Sequence, residues 1–216
     1  MIYIILLILS YLLGSIPFGW LLIKMLGKGD IRNIGSGGTG ATNVARVLGL
    51  GGFIGVWAFD MAKAAIAVWL GTHFISPVFG VICGLVAIIG HCFPIWLKFK
   101  GGKGNASMFG VLLAVNPLMF IVIGIEWLLV AITTKYSSLG AIVGFLVMPL
   151  LGFATSFEIG LVFIAISALC LFQHRENIKR LLSGTESKMQ MDTKKLTAGL
   201  IIVGLLVLGL VIAINA

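Results

Sequence analysis

Residues 35–46 read Gly-Ser-Gly-Gly-Thr-Gly-Ala-Thr-Asn-Val-Ala-Arg, and they stand between long apolar blocks. The stretch holds four glycines, three small hydroxyl residues, one amide and one arginine, with no acid. Read as a loop, it turns tightly and lays backbone N–H groups against a ligand. The charges nearest to it, Arg32 and Arg46, are positive. The ligand it suits is an anion, and a phosphate above all.

The blocks on either side decide the class. Hydrophobic residues make up 60% of the chain, charged residues 10%, and the mean hydropathy is +1.16. Soluble domains carry about 25% charged residues, so the pattern is that of an all-α polytopic membrane protein. The net charge of +8 does not point to nucleic acid. The basic residues lie in short links between apolar runs, where orientation bias and anionic ligands account for them. Cys83, Cys92 and Cys170 lack metal-ligand spacing and read as small buried hydrophobes.

Working outward, the apolar pattern predicts a first helix over about 2–25, interrupted at Gly14-Ser15-Ile16-Pro17, which is retained as a membrane segment. A second covers about 51–70 and carries Asp60 and Lys63 on one face, either as a structural ion pair or as a site wall. A third covers about 78–89. A second polar stretch follows from Gly90 to Ser107, with His91, Lys98, Lys100, Lys103 and the run Gly101-Gly102-Lys103-Gly104; it lacks Walker A spacing. Trp96 and Phe99 there fit an interfacial belt.

Asn116-Pro117 divides the next block into a short helix and a longer one over 117–134, with Glu126 inside the latter as a buried acid. Segments over about 139–151 and 158–171 follow, the former short. The total is seven membrane segments, two of them short, with every basic link on the cytoplasmic side and the N-terminus outside. An extra transmembrane helix over 196–214 follows a polar linker. Residues 1–188 form one domain and 189–216 the linker and extra helix.

This topology gathers Ser36 to Arg46, Asp60 and Lys63, His91 to Lys103, Lys135 to Ser138, and His174 to Glu186 on one membrane face. Lysine supplies mobile charge there and arginine a two-pronged fork for phosphate. No acid–base pair of a covalent acyl-enzyme mechanism and no GxSxG elbow is present.

The segments Ile31-Arg32-Asn33, Gly35-Ser36-Gly37, Gly40-Ala41-Thr42-Asn43 with Arg46, Asp60-Met61-Ala62-Lys63, Gly90-His91 with Pro94, Phe99-Lys100-Gly101-Gly102-Lys103-Gly104, and His174-Arg175-Glu176-Asn177-Ile178 with Arg180-Leu181 and Gly184-Thr185-Glu186 resemble the PlsY family. Helix 1 fits as well, through Tyr11-Leu12-Leu13-Gly14-Ser15-Ile16-Pro17. These are the bacterial acyl-phosphate-dependent glycerol-3-phosphate acyltransferases of the cytoplasmic (inner) membrane. The resemblance covers about residues 1–188. It implies transfer of a fatty acyl chain from acyl phosphate to the 1-hydroxyl of sn-glycerol 3-phosphate, giving lysophosphatidic acid and phosphate. This is the first step of bacterial phospholipid synthesis, with no cofactor and no metal. It implies a functional link to the enzyme that makes acyl phosphate and to the second acyltransferase.

Carried onto this chain, the resemblance implies that Ser36, Arg46, Lys103 and His174 are catalytic. Gly37, Gly40, Thr42, Asn43, His91, Lys100, Gly101, Gly102, Gly104, Ser138, Asn177 and Arg180 are substrate-binding, and Asp60, Lys63 and Glu186 support them. The general base is His174, His91 or a substrate phosphate. The chain departs from the family at Gly38 (usually Asn), Thr39 (often Pro), Ala64 (usually Gly) and Asn105 (usually a small apolar residue). Two rival readings remain: an inactive paralogue that binds acyl phosphate as a scaffold, favoured by Gly38, and a transporter of a phosphorylated small molecule, against which the lack of an inverted repeat speaks.

Overall fold

The computed structural model describes residues 1–189 and Ala198. Among these residues the fold is helical and contains no strand. The helices are α1 (Ile2–Gly14), α2 (Phe18–Met25), α3 (Ala41–Phe74), α4 (Pro77–Cys92), α5 (Asn105–Val115), α6 (Pro117–Thr134), α7 (Ser137–Phe153), α8 (Phe157–Gln173) and α9 (Arg175–Leu182). The expected helix over 196–214 lies outside the described residues.

Among the described residues, each apolar segment expected from the sequence is a helix. By length and hydropathy, four stretches can cross a membrane: 2–25, α3, 77–97 and α6. The α8–α9 pair reaches that length only if its two helices, bent by 60° at His174, are counted together, and α5 and α7 are shorter.

Local chemistry sets the helix ends. Pro17 has no N–H to continue α1, so the chain breaks and restarts as α2. The Ile16 carbonyl at the break accepts a hydrogen bond from Lys63 Nζ of α3 at 2.8 Å. The Ser76, Asn116 and Ser156 side chains accept from Phe79, Leu118 and Ile159 N–H groups at the starts of α4, α6 and α8. Lys135 closes α6 in the left-handed conformation, with φ 66°.

Small residues bring the helices together. Gly14 of α1 faces the Ala87 backbone of α4, and Gly90 of α4 faces the Tyr11 carbonyl, so a methyl at either position would collide with main chain. Tyr11 Oη donates to the Phe93 carbonyl at 2.8 Å and ties the same pair of helices. Gly110 of α5 lies equally close to the Met61 carbonyl of α3. The core runs through these contacts, with Phe145, Phe163, Met108, Ile88 and Leu112 fully buried. Cys83, Cys92 and Cys170 are buried and free, as small hydrophobes.

One expectation needs correction. The second helix begins at Ala41, not near Gly51, so Thr42, Asn43 and Arg46 stand on a helix and not on a loop. The glycines at 49, 51 and 52 suggest a break across the whole stretch, but only Gly49 leaves helical geometry (φ 65°, ψ −154°). Residues 41–48 therefore form a separate short helix, and its first turn faces the polar side of the bundle.

Candidate active site

Asn43 organises the glycine-rich stretch. It is buried, and its Nδ2 donates to the carbonyls of Ile31, Ile34 and Gly38 at 3.1, 2.8 and 2.9 Å. Its Oδ1 accepts from the Ser36 N–H and from Arg46 Nη1, both at 3.1 Å. One amide thus holds three carbonyls, one backbone N–H and one guanidinium. Gly35 and Gly37 adopt φ 55° and 69°, and a Cβ on Gly35 would run into Asn43 and Arg46. Arg32 is committed elsewhere: it forms a two-pronged pair with Asp30, at 2.6 Å for the closest contact, and holds that carboxyl well below its ordinary range.

The loop delivers the chain to the start of α3. Gly40 caps this helix with no side-chain bond, so the first N–H groups, at Ala41 and Thr42, have no partner inside the helix. Bare N–H groups at a helix start favour an anion.

Opposite this loop, Lys103 lies in the link between α4 and α5. Its Nζ donates to Asn177 Oδ1 on α9. Asn177 Nδ2, Ser138 Oγ and Arg180 Nε all donate to the Glu186 carboxylate, each at 2.7 Å. Those three bonds hold the Glu186 carboxyl below its ordinary range, against the opposing effect of burial. Burial, then the positive charges of Arg180, Arg46 and Arg175, bring the Lys103 ammonium down to about 8.

His174 sits at the bend between α8 and α9. Its Nδ1 lies 2.8 Å from the Cys170 carbonyl. A carbonyl oxygen only accepts, so Nδ1 carries the proton and a neutral ring keeps its lone pair on Nε2. Burial pushes this imidazole down to about 4, and the ring is neutral at pH 7.

The third wall lies deeper. Asp60 contacts Lys63 at 2.7 Å, and His91 Nδ1 approaches the same carboxylate oxygen at 3.4 Å. All three side chains are buried. The Asp60–Lys63 contact is ionic, since that oxygen has no aligned hydrogen-bond donor. Gly102 leaves room for the His91 ring, which a Cβ there would strike, and its N–H donates to the His91 carbonyl at 3.0 Å.

The three walls enclose one cavity of about 880 Å³. Ser36, Gly40, Thr42, Asn43 and Arg46 line it from the first polar stretch; Asp60, His91, Gly102 and Lys103 from the middle; Ser138, His174, Asn177, Arg180 and Glu186 from the last three elements. Lys63, Gly37, Lys100, Gly101 and Gly104 do not line it. Lys63 serves the helix break at Ile16, and Lys100 is exposed. Gly101 is bonded back to the Cys92 carbonyl, and Gly104 starts α5 with φ 89° against Cys170. The sequence reading missed the apolar side, made by Leu50, Phe53, Trp57, Trp127 and Ala141. Helical spacing alone marks these as core residues, and nothing distinguishes a core aromatic from a cavity aromatic before the helices are packed.

Comparison with known proteins decides the family. The family model described as glycerol-3-phosphate acyltransferase matches residues 4–184. The chain belongs to the glycerol-3-phosphate acyltransferase family. The enzyme of that name from Rhizobium etli (strain ATCC 51251 / DSM 11541 / JCM 21823 / NBRC 15573 / CFN 42) is 44% identical over 183 residues, which span 84% of this chain and 89% of the relative. The one from Thermoanaerobacter pseudethanolicus is 43% identical over 189 residues, 87% of this chain and 96% of the relative. The crystal structure of PlsY (YgiH), an integral membrane glycerol 3-phosphate acyltransferase, superposes in its glycerol 3-phosphate form with a TM-score of 0.83 at 35% identity, covering 91% of this chain and 99% of PlsY. Its lysophosphatidic acid form gives 0.80 at 35% identity, with 87% and 95% covered. This acyltransferase is therefore an integral membrane protein, and its cavity is lined by residues of the matched stretch 4–184 together with Glu186, Ser187, Lys188 and Met189.

Proposed function

We propose that this chain transfers the acyl group of a fatty acyl phosphate to the 1-hydroxyl of sn-glycerol 3-phosphate at the cytoplasmic face of the bacterial inner membrane. The observation that carries this reading is the two-sided cavity. One side gathers Arg46, Lys103 and Arg180 with the bare N–H groups of α3, and the other is aromatic and aliphatic. A pocket of this kind accepts two phosphates and the start of one long chain.

In the reaction the 1-hydroxyl oxygen attacks the acyl carbon, the bond from that carbon to the phosphate oxygen breaks, and inorganic phosphate leaves with the electron pair. Ser36, the N–H groups of Ala41 and Thr42, and Arg46 hold the phosphate of the donor. Lys103, Asn177, Ser138 and Arg180 hold glycerol 3-phosphate, and Lys103 offsets charge on the developing oxyanion. The hydroxyl proton passes to the departing phosphate. A histidine held near 4 is a weak acceptor, which favours the substrate phosphate over His174, and the role left to His174 is orientation.

Gly38 does not weaken this reading. Its carbonyl is the atom that Asn43 binds, and the nearest atom to a Cβ there would be Ser36 Oγ at 3.7 Å. The loop is built from main chain at that position, so its order does not depend on a side chain. Residues 1–188 act as the acyltransferase domain, with seven membrane segments and the basic links on the cytoplasmic side.

Phosphate release from palmitoyl phosphate by the purified protein in detergent tests the reaction. Release is expected only with glycerol 3-phosphate present, and to be lost in Ser36→Ala and Lys103→Ala. Binding of acyl phosphate by a folded protein without release would favour the scaffold reading instead.

A further inference from the structure

Asn105 is the first residue of α5 and lines the cavity two residues after Lys103. Its Oδ1 is buried and has no hydrogen-bond partner among the described residues. The position does not explain the residue. An asparagine that caps a helix sits one place earlier and accepts a backbone N–H; here the cap is Gly104, with no side-chain bond. Nor does stability explain it, because a buried acceptor left unmade is a cost that an apolar side chain at the same place would avoid. Among the other buried polar atoms without partners, Asp60 Oδ1 has Lys63 beside it, while Trp20 and Glu126 lie outside the cavity. Asn105 is an uncommitted amide in the wall of the site.

An orphaned acceptor calls for a donor, and on the reaction proposed above the two substrates differ sharply in what they offer. An acyl phosphate presents carbonyl and phosphate oxygens, which are acceptors. Glycerol 3-phosphate presents two hydroxyls. The 1-hydroxyl gives up its proton during transfer and has to reach the acyl carbon. The 2-hydroxyl keeps its proton from binding to release. We propose that Asn105 is a specificity-determining residue whose carboxamide oxygen accepts a hydrogen bond from the 2-hydroxyl of bound glycerol 3-phosphate. That oxygen lies beneath the cavity surface; rotation about the soft terminal torsion of asparagine brings it to the cavity and puts Nδ2 in its place, without moving the backbone.

This inference rests on the proposed substrate, and binding tests it separately from turnover. Calorimetry on the full-length protein in detergent would compare glycerol 3-phosphate with 3-hydroxypropyl phosphate, which lacks only the 2-hydroxyl. The wild-type protein is expected to bind glycerol 3-phosphate about tenfold more tightly, the worth of one hydrogen bond to an otherwise unsatisfied buried acceptor. In Asn105→Ala, and in Asn105→Val as a second acceptor-free variant of closer volume, the preference should vanish. Asn105→Asp keeps an oxygen acceptor: it should bind both ligands more weakly, charge against charge, yet retain the preference. A wild-type protein that does not distinguish the two ligands, or a ratio unchanged in the acceptor-free variants, would overturn the assignment. Absent acyl transfer alongside the expected ratios would overturn the proposed reaction and leave this contact standing.

Discussion

Replacing Asn43 by alanine removes the centre of the glycine-rich loop. The substitution takes away a donor group shared by three carbonyls and an acceptor shared by the Ser36 N–H and Arg46. A hydrogen bond of this kind is worth about 1 kcal/mol net, and a buried group left unsatisfied costs about 1–3 kcal/mol. The Asn43–Ile31 bond is buried; the other four reach water in part. Allowing water to replace some of them, the loop loses about 3–4 kcal/mol. The loss falls on local order first, since the loop opens at less cost than the helical core. At about 1.4 kcal/mol per tenfold, kcat/KM should drop by roughly two to three orders of magnitude. Phosphate release measures this, with far-UV circular dichroism and gel filtration to check that the helices remain. Asn43→Asp sharpens the test. It keeps the acceptor for Ser36 and Arg46 but turns a second oxygen on three carbonyls, so it should be no better than alanine. Alanine within threefold of wild type, or aspartate near full activity, would refute the reasoning.

The remaining predictions use the same assay or thermal unfolding. Burial and neighbouring positive charge bring Lys103 down to about 8, and it is charged below that value, so kcat/KM should fall about tenfold between pH 7 and 9 as the cation is lost. In Lys103→Arg the fall should move above pH 10. Glu186→Gln removes the counter-ion that competes with phosphate for Arg180 and should lower the KM for glycerol 3-phosphate about tenfold, since a charge-assisted bond is worth about 1.5–3 kcal/mol. Lys63→Met leaves Asp60 unpaired in the bundle and should cost about 3–5 kcal/mol of stability, most of it recovered when Asp60→Asn is added. His174→Ala should lower turnover without abolishing it; complete loss at saturating substrate in a folded protein would make His174 the base.

The membrane class, the helical segments of the described residues and the polar clusters were legible because hydropathy and proline breaks are local properties of the chain. Pro17 and Asn116-Pro117 mark helix ends in the sequence as clearly as in the fold. The helical start at Ala41 was hidden because glycines at 49, 51 and 52 imitate a loop, while only Gly49 leaves helical geometry. Lys63 was legible as a buried charge on one face with Asp60, but its bond to the Ile16 carbonyl joins residues 47 apart. No periodicity encodes such a contact. Lys100 and Lys103 look alike in the sequence, three positions apart in one basic run, and the turn between them sends one outward and the other into the cavity. The same limit applies to Trp57 and Trp127, whose place on the cavity wall follows from how α3 and α6 pack.

Glu186 bears on how the site empties. Glu186 gives Arg180 a resident anion, and Asn177 relays it to Lys103. An incoming phosphate therefore exchanges with a tethered counter-ion and does not meet bare cations. The exchange lowers the affinity of every phosphate the site handles, substrate and product alike. It also means that a departing phosphate leaves no stranded charge, because the carboxylate returns to the guanidinium. In the proposed reaction, which discharges inorganic phosphate and a phosphorylated lipid in each cycle, a built-in competitor shortens the residence of both and keeps the catalyst free of its own products.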